Sequence, residues 1–390
     1  MSWLDLGTLR PLLEPRHLEL GKRLEAWSRE VLAPLPEPEN DAAARTQARE
    51  VLRLLGEAGW LRWLVGEELG GESGAPDTLA CCLAREAIAA ASPLADAVFA
   101  LQGLGSMPIT LSDNEPLARR WLPSVARGEA MAAFAMTEPE AGSDVSALAT
   151  WARQIEGGWQ LDGKKAFISN AGLADFYCVF AQGEPGAGTK GIVCLLVPAN
   201  TPGFEFVRPQ VLSSPHPLGE IAFENCRLPA ESLLAGPGEG FKLGMKTLDR
   251  LRPTVAAAAC GMAARALEEA LAHARSRRQF GQPLAEFQLV QEKLARMATD
   301  LTAARLLTYR AAWQAMHGTE RITREAAMAK LFATEAAQRV VDDAVQILGG
   351  RGALAEHPVD RLYRSVRALR IYEGTSEIQH LVIARELLRT

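Results

Sequence analysis

The chain has 390 residues, of which 48% are hydrophobic and 23% charged, and its formal net charge is −5. This is the balance of an ordinary globular protein, so a disordered chain is excluded. A slightly acidic protein is not expected to bind nucleic acid through bulk charge.

The opening residues and the cysteines indicate the compartment. Residues 1–5 (MSWLD) lack the basic and then apolar layout of a signal peptide, and no uncharged run approaches the length of a membrane span. The six cysteines form no CxxC pair and the six histidines show no ligand-like spacing, so free thiols are favoured over disulfides or a metal site. We therefore expect a cytoplasmic protein without a membrane span and without a metal ion.

Three regions with different patterns predict three domains. Residues 1–130 are rich in Leu, Ala, Glu and Arg and predict helices that break at residues 34–40 and 70–76. Residues 131–237 change to short apolar runs, which predict strands. Residues 238–390 return to helical patterns, and these helices are long.

The middle region shows both strands and turns. Two-residue turns are predicted at Gly157-Gly158 and at Asp162-Gly163. The strand candidates are residues 159–161, 165–168, 176–180, 192–197 and 221–223.

Apolar residues of the third region alternate at spacings of three and four, which indicates an antiparallel helical bundle. The first stripe comprises Phe287, Val290, Leu294, Met297, Leu301 and Ala304, and the second comprises Met328, Leu331, Phe332, Val341, Ala344, Val345 and Leu348. A last helix is predicted to open at Ser376, where SEIQ fits a capping box. Its predicted inner face carries Ile378, Leu381, Val382 and Leu388.

The glycine-rich segments do not indicate a nucleotide-binding loop. Residues 183–191 lack the residue order of a phosphate-binding loop and precede a strand pattern, which favours a hairpin loop. Residues 236–240 lack the spacing of a dinucleotide fingerprint and favour a connection between domains. A GxSxG elbow and an HExxH helix are both absent from the sequence, so hydrolase and zinc-protease chemistry are disfavoured.

Two polar segments carry residues suited to a ligand. Residues 134–144 (FAMTEPEAGSD) bring the hydroxyls of Thr137 and Ser143 together with a glycine that lets backbone N–H groups approach an anion. Residues 371–379 (IYEGTSEIQ) place Glu373 before a flexible glycine and a helix start, where burial would suit the carboxylate to act as a base. An ordinary loop and an ordinary helix cap are the respective alternatives.

Six segments follow one another in a fixed order along the chain. They are residues 135–144 (AMTEPEAGSD), 161–170 (LDGKKAFISN), 248–253 (LDRLRP), 277–281 (RRQFG), 346–350 (QILGG) and 372–377 (YEGTSE). Together they resemble the acyl-CoA dehydrogenase family of flavoproteins over nearly the whole chain. The resemblance implies an α+β multidomain fold, with an N-terminal all-α domain, a middle β-barrel or sandwich domain and a C-terminal four-helix bundle.

The resemblance also implies a reaction, the FAD-dependent oxidation of an acyl-CoA to its trans-2-enoyl-CoA. A base removes the α-proton while the β-hydrogen leaves as hydride to flavin N5. In related enzymes the base is the glutamate of the YEGT motif, which corresponds to Glu373. Some relatives supply the glutamate from the helix that opens the bundle, but the matching residue here is Leu251. The implied oxyanion hole is the Glu373 N–H with a flavin ribityl hydroxyl.

Further site residues are implied by position. Contacts to the flavin ring are implied for Met136, Thr137, Phe167, Ile168 and Ser169, and Ser143 corresponds to a contact with the cofactor phosphate or the coenzyme A. Substrate contacts are implied for Asp249, Arg252, Tyr372 and Gly374. Contacts to the FAD of a neighbouring subunit are implied for Arg277, Gln279, Phe280, Gln346 and Gly350, and contacts to the FAD diphosphate and ribose for Thr375 and Glu377. A homodimer or homotetramer follows, with an electron-transfer flavoprotein as the implied electron acceptor.

Three departures from the family pattern put ordinary fatty acyl-CoA specificity in question. Phe167 stands where the family has Trp, Arg364 is followed by Ser365 instead of Asp, and the loop 211–219 is short and rich in proline. Two alternatives with the same fold stay open, an oxidase that uses O2 and a dehydrogenase acting on a thioester bound to a carrier protein. A non-catalytic helical assembly protein is a third alternative, which the retained base disfavours.

Overall fold

The computed structural model describes residues 2–318 and 321–389. The α-helices are α1 Leu6–Leu9, α2 Pro15–Trp27, α3 Asp41–Glu57, α4 Thr78–Ala91, α5 Pro93–Thr110, α6 Glu115–Ala126, α7 Glu239–Ser276, α8 Gln288–Met316, α9 Thr323–Leu348, α10 Pro358–Leu369 and α11 Ser376–Leu388. The strands are β1 Ala132–Ala135, β2 Trp151–Ile155, β3 Gly158–Ser169, β4 Phe176–Gln182, β5 Ile192–Pro198, β6 Phe204–Pro209, β7 Leu218–Pro229, β8 Leu233–Ala235, β9 Arg278–Gln279 and β10 Gln282–Pro283. Within the described ranges none of the helices combines the length and the apolar character that a membrane span requires.

The chain folds into two compact units. The first unit holds the described residues up to Glu37, Thr78–Asp96 and the described residues from Asp249 onward. The second unit holds Pro38–Asp77 and Ala97–Leu248. Helices α5 and α7 contribute residues to both units. The boundaries predicted for the three domains, at residues 130 and 237, stay a prediction.

The second unit is built on one eight-stranded sheet. Its strands follow the order β6-β7-β3-β2-β4-β5-β8, and β1 pairs in parallel with β4. Strand β4 is buried along its whole length, whereas β6, at one end of the order, is partly exposed. Strands that are buried on both faces read as continuous apolar runs, so the strands predicted at residues 176–180 and 192–197 are confirmed as β4 and β5.

One of the two turns predicted in the middle region is wrong. The turn predicted at Gly157-Gly158 lies one residue earlier, at Glu156-Gly157, where it joins β2 to β3 in a hairpin, and Gly158 is the first residue of β3. Asp162 and Gly163 instead lie inside β3, where the register with β7 shifts between Leu161 and Gly163 as in a β-bulge. A side chain at Gly163 would come within 2.7 Å of the Thr150 Cα atom. The glycine therefore serves a close backbone approach and not a chain reversal.

Small residues fill the core of the first unit. Its core includes Ala256, Ala258, Ala259, Ala263, Ala264, Ala266, Ala270, Ala329, Ala333, Ala336, Ala337 and Ala344, together with Val, Leu, Ile and Met residues. A Cβ atom at Gly261 of α7 would lie 2.0 Å from the carbonyl oxygen of Glu86 in α4. Short side chains therefore bring neighbouring helix backbones close together in this unit.

The long helices predicted in the third region are confirmed as α8, α9 and α11. In α8, Met297, Leu301 and Ala304 are buried, as their spacing predicts, whereas Val290 and Leu294 are only half-buried. Phe287, also half-buried, caps the helix and does not lie within it. In α9 the stripe is only partly correct, because Met328 and Leu331 are half-buried while alanines line much of the buried face. The alanine face is the one that packs closely in the core described above.

The capping box predicted for the last helix is wrong by one residue. Helix α11 does begin at Ser376, but its cap is Thr375, whose hydroxyl accepts a hydrogen bond from the N–H of Ile378 at 3.3 Å. The hydroxyl of Ser376 instead donates to Glu335 at 2.5 Å. Gln379 therefore has no capping role, and its side-chain amide donates to the carbonyls of Glu373 and Gly374 instead.

The predicted inner face of α11 is also wrong in part. Ile378 and Val382 are half-buried, but Leu381 is 60% and Leu388 87% exposed. Gln379 is fully buried, so the buried face of the helix is narrower than its apolar residues suggest, and it includes a polar side chain.

Candidate active site

The predicted base lies on a tight turn between α10 and α11. Glu373 and Gly374 both have left-handed backbone angles, with φ of +54° and +94°. This conformation suits glycine but is strained for a glutamate, and strain of this kind is concentrated at functional sites. The surrounding contacts must therefore hold Glu373 in place.

Three buried side chains hold this turn through its carbonyl groups. Arg252 Nε donates to the Glu373 carbonyl at 3.1 Å, and Lys330 Nζ donates to the Gly374 carbonyl at 2.7 Å. Gln379 Nε2 donates to the same two carbonyls at 3.2 and 3.0 Å. Because α7, α9 and α11 each supply one donor, the turn is fixed from three helices. Of the three donors, only Arg252 was predicted as a site residue.

One oxygen of the Glu373 carboxyl group is buried and unpaired. This atom, Oε2, makes no hydrogen bond to any residue that the structure describes. Burial raises the pKa of the Glu373 carboxyl above its ordinary value, and the positive charges of Arg85, Arg252 and Lys330 act against that rise. A shielded carboxylate with a raised pKa has the properties of a general base.

A buried ion pair that the sequence analysis missed acts on this carboxyl. Arg85 Nε and Nη2 each donate to the Asp96 carboxylate at 2.8 Å, and Nη1 donates to the Thr254 hydroxyl at 3.1 Å. Both charged side chains are buried, and both influence the pKa of Glu373. The neighbouring charges Arg85 and Glu86 within the otherwise mostly apolar α4 were the available signal, since a buried charge requires a partner.

The remaining predicted substrate contacts also lie in the first unit. Asp249 accepts a hydrogen bond from Arg252 Nη1 at 2.7 Å and one from the Thr323 hydroxyl at 2.5 Å. Tyr372, next to the base, is 37% exposed. Leu251, which matches the alternative position of the base, is buried and offers no carboxylate.

Residues predicted to face a flavin ring lie in the second unit, just after β1 and on β3. Met136 is buried and Thr137 half-buried. The N–H of Ala166 in β3 donates to the Thr137 carbonyl at 3.0 Å. The end of β1 is thereby tied to the middle of β3.

Phe167 combines an exposed ring with a strained backbone. Its side chain is 58% exposed and its φ is +56°. The register between β3 and β7 shifts between Lys165 and Ile168, so this stretch of β3 is a bulge. Ile168 stays in the core of the sheet, while the Phe167 N–H donates to Gln210 Oε1 at 2.6 Å. The bulge therefore presents an aromatic face that the unit itself does not cover.

A second buried ion pair joins the segment after β1 to β3. Lys165 Nζ donates to Glu138 Oε1 at 2.7 Å and to the Met136 carbonyl at 2.9 Å. Glu138 also accepts the N–H groups of Ala149 at 2.6 Å and Thr150 at 2.9 Å. Desolvation lowers the pKa of Lys165 to about 8, and Glu138 acts against that fall. Burial tends to raise the pKa of Glu138, but Lys165 and the N–H donors outweigh it and leave that pKa below its ordinary value.

The two predicted serines differ in their surroundings. Ser169 Oγ lies 3.3 Å from His216 Nε2, and Ser143 is exposed in the loop that follows β1. His216 belongs to the proline-rich loop and had no predicted role. Desolvation lowers the pKa of His216 to about 4, so its ring is neutral at physiological pH.

Residues assigned to the FAD of a neighbouring subunit are open to solvent within one chain. They are all exposed: Arg277, Gln279, Phe280, Gln346 and Gly350. Of the two residues assigned to the FAD diphosphate and ribose, Glu377 is exposed and Thr375 is half-buried. Phe280 is 94% exposed at the tip of the β9–β10 hairpin. An open groove of about 580 Å³ is lined in part by His273, Arg351 and His357, which are close in sequence to these residues.

These features fit a flavin and a substrate. An exposed aromatic ring on a strained bulge is a surface that a flat heteroaromatic ring covers well. A buried carboxylate oxygen without a partner is costly unless a ligand gives it a role. Among the residues described, no group of three or more His, Cys, Asp or Glu side chains is arranged to hold a metal ion.

Comparison with known proteins finds a protein family whose three domains match most of the chain. The family described as "Acyl-CoA dehydrogenase, N-terminal domain" matches residues 14–129, the corresponding middle domain matches residues 133–226, and the C-terminal domain matches residues 238–388. The chain is 37% identical over 380 residues to the "Probable acyl-CoA dehydrogenase FadE25" of Mycobacterium tuberculosis, which covers 97% of this chain and 96% of that protein.

Two solved structures share the fold at similar coverage. Butyryl-CoA dehydrogenase from Megasphaera elsdenii gives a TM-score of 0.90 and 35% identity, over 97% of this chain and 99% of that chain. A structure described as "PigA with FAD and proline" gives a TM-score of 0.88 and 29% identity, over 97% and 99% of the two chains. The chain therefore belongs to the acyl-CoA dehydrogenase family. Its fold is that of the family, with an N-terminal helical domain, a middle sheet domain and a C-terminal helical domain.

Proposed function

We propose that the protein is an FAD-dependent acyl-CoA dehydrogenase that converts an acyl-CoA thioester to its trans-2-enoyl-CoA. Family membership and the activities named for its relatives support this reaction. The observation that carries the proposal is the buried, unpaired carboxyl oxygen of Glu373 on a strained turn. Stability alone does not account for such a group, because an unpaired buried carboxylate destabilises a fold.

Glu373 is the proposed base. A hydrogen on the carbon next to a thioester is too weak an acid for an ordinary solvated carboxylate to remove. Burial raises the pKa of Glu373 and so brings the proton affinity of the base closer to that of the substrate carbon. When bound, FAD supplies the acceptor for the β-hydrogen, which leaves with its electron pair as hydride.

The backbone N–H of Glu373 is the proposed oxyanion donor. Within the described part of the chain this N–H donates to no acceptor, while the carbonyl of the same residue accepts from Arg252 and Gln379. A fixed donor aimed at a thioester oxygen stabilises the enolate that forms as the proton leaves. Removal of one such donor typically costs about 3–4 kcal/mol of transition-state stabilisation.

The remaining binding roles are proposed from position in the sequence and from exposure. Met136, Thr137, Phe167, Ile168 and Ser169 are proposed to bind the flavin ring, and Ser143 the cofactor phosphate or the coenzyme A. Asp249, Arg252, Tyr372 and Gly374 are proposed to contact the substrate. The exposed ring of Phe167 is the feature that best supports a flat cofactor in the second unit.

We also propose a homo-oligomer, a tetramer or dimer, in which Arg277, Gln279, Phe280, Gln346, Gly350, Thr375 and Glu377 help to bind FAD. The 94% exposure of Phe280 and the exposed Leu381 and Leu388 support a partner surface, because an exposed apolar side chain gains stability when a partner covers it. An electron-transfer flavoprotein is the proposed acceptor. A cytoplasmic location is supported by the six cysteines, which are buried as thiols.

The test is an anaerobic titration of the purified yellow protein with straight, branched and cyclic acyl-CoAs, followed by the visible flavin spectrum. Bleaching by one class is the expected result and names the substrate. Bleaching only by a pantetheine-linked carrier substrate would assign the carrier-protein alternative, and rapid O2 consumption with peroxide release would assign the oxidase. A colourless protein that binds no FAD would contradict the proposal.

Replacing Gly374 with alanine is expected to slow flavin reduction by about 10²-fold, because a small displacement of a catalytic group has effects of that size. A Cβ atom there would lie 2.6 Å from Gln379 Nε2, and φ of +94° is unfavourable for alanine. Stopped-flow reduction measures the effect. Gly236→Ala is the control, since a Cβ atom at Gly236 meets nothing within 4 Å. A normal rate in Gly374→Ala would show that the geometry of the turn is not required.

A further inference from the structure

Lys330 is a buried cation without a carboxylate partner. Its side chain in α9 is fully buried, and its ammonium donates to the Gly374 carbonyl at 2.7 Å. Within the described residues the Lys330 ammonium makes no other hydrogen bond and forms no ion pair at contact distance. A buried ammonium normally has a counter-charge, so the residue that plays this part must be identified.

The other cations around Glu373 are already neutralised. Arg85 has a two-point ion pair with Asp96, and Arg252 is paired with Asp249 at 2.7 Å. Arg85 in α4 is thus neutralised by Asp96 in α5, and Arg252 in α7 by Asp249 in the same helix. Neither arginine therefore balances the base by itself.

The other carboxylates near Lys330 are also accounted for. Besides Glu373, the negative charges that act on Lys330 are those of Glu335 and Glu377. Glu335 is paired with Arg370 at 2.8 Å, and Glu377 is exposed. Glu373 and Lys330 are thus the anion and the cation of this site that lack other partners.

We propose that Lys330 is a positioning residue that also supplies the counter-charge of Glu373. The inference rests on the proposed function, in which Glu373 is the base. Through the Gly374 carbonyl, Lys330 holds the left-handed turn. Through its charge it keeps the base ionised although the carboxyl is shielded from water.

Burial and the nearby positive charges have opposite effects on the pKa of Glu373. Burial raises the pKa of Glu373 and so favours its protonated form, and the charges of Arg85, Arg252 and Lys330 oppose this rise. Desolvation lowers the pKa of Lys330 to about 8, so Lys330 is mostly charged at neutral pH and can act in this way. An ionised base with a raised pKa is the state that abstracts a proton most effectively.

Three substitutions separate the charge from the hydrogen bond. Lys330→Met removes both, Lys330→Gln keeps a donor without the charge, and Lys330→Arg keeps both. Lys293→Met is the matched control, because Lys293 lies in the same unit and is 3.3 Å from Asp343. The flavin-bound protein is used throughout.

The first readout is an infrared titration of the protonated carboxyl band of Glu373, identified by its loss in Glu373→Gln. We expect the midpoint to rise by about one pH unit in Lys330→Met and Lys330→Gln, and to stay near the wild-type value in Lys330→Arg and Lys293→Met. If Lys330→Met does not fold, Lys330→Gln gives the same comparison. An unchanged midpoint in the variants without charge would overturn the proposal.

The second readout is the pH dependence of flavin reduction by the acyl-CoA that bleaches the wild type. The base must be ionised, so the rate rises as pH rises through the pKa of Glu373. Loss of the Lys330 charge moves this rise to higher pH. If no acyl-CoA reduces the wild type, the proposed function fails, but the infrared titration still decides the role of Lys330.

Discussion

Glu373→Gln is expected to retain FAD and to lose flavin reduction by substrate. The amide keeps the shape of the side chain but cannot accept the α-proton. The loss should be about 10²–10⁴-fold, the range found when a general base is removed. Anaerobic stopped-flow spectroscopy measures the rate, and the flavin absorbance of the purified variant measures FAD content. Near wild-type reduction by this variant would remove Glu373 from the mechanism.

The rate of flavin reduction in the wild-type protein should also rise as the pH rises. Burial raises the pKa of Glu373, so the protonated, inactive form persists to a higher pH than it would for an exposed glutamate. The rising limb of the profile therefore lies above the ordinary glutamate range and is absent in Glu373→Gln. Glu286→Gln, a change at an exposed carboxylate in the same unit, is the control and should leave the profile unchanged.

Lys165→Met is expected to have the largest effect on stability. The substitution leaves Glu138 as a buried charge beside the segment that carries Thr137, and breaking a buried ion pair from one side costs about 3–5 kcal/mol. Met136 and Thr137 should also lose their fixed position, so FAD content should fall. Urea unfolding followed by tryptophan fluorescence, together with the ratio of flavin to protein absorbance, measures both effects.

The double variant Glu138→Gln with Lys165→Met tests the cause. It removes both charges, so much of the lost stability should return, whereas a purely steric role of Lys165 would leave the double variant as unstable as the single one. The N–H groups of Ala149 and Thr150 bind different oxygens of Glu138, so the single carbonyl oxygen of the glutamine keeps an acceptor for one of them, and the recovery of stability should be incomplete.

The sequence predicted those parts of the site that depend on residue type and order. Glu373 and the strand with Phe167 are set by short motifs, and the strands β4 and β5 by continuous apolar runs. The left-handed backbone at both residues could not be predicted, because it results from contacts made by distant segments. Lys330 reaches Gly374 across 44 positions of sequence, and nothing local to the turn indicates it.

The buried charges left a weaker signal. Lys330 shares its helix face with Ala326, Ala333 and Ala337, which are all buried, so its position on an apolar stripe predicts burial once the stripe is recognised. The turn predicted at Asp162-Gly163 was wrong because this dipeptide, although typical of turns, here forms a bulge within a long strand. Local patterns identify the kind of residue needed, and tertiary contacts decide how it is used.

Three left-handed residues among those proposed to bind cofactor or substrate have a consequence for the amount of protein in a cell. Phe167, Phe280 and Glu373 all have positive φ, and each such residue costs about 1–3 kcal/mol unless its surroundings compensate. A ligand that binds only the folded chain offsets such a cost by mass action. Newly made chains that meet little flavin therefore stay closer to the unfolding threshold and are more exposed to proteases. Riboflavin supply should thus control the abundance of this protein as well as its activity.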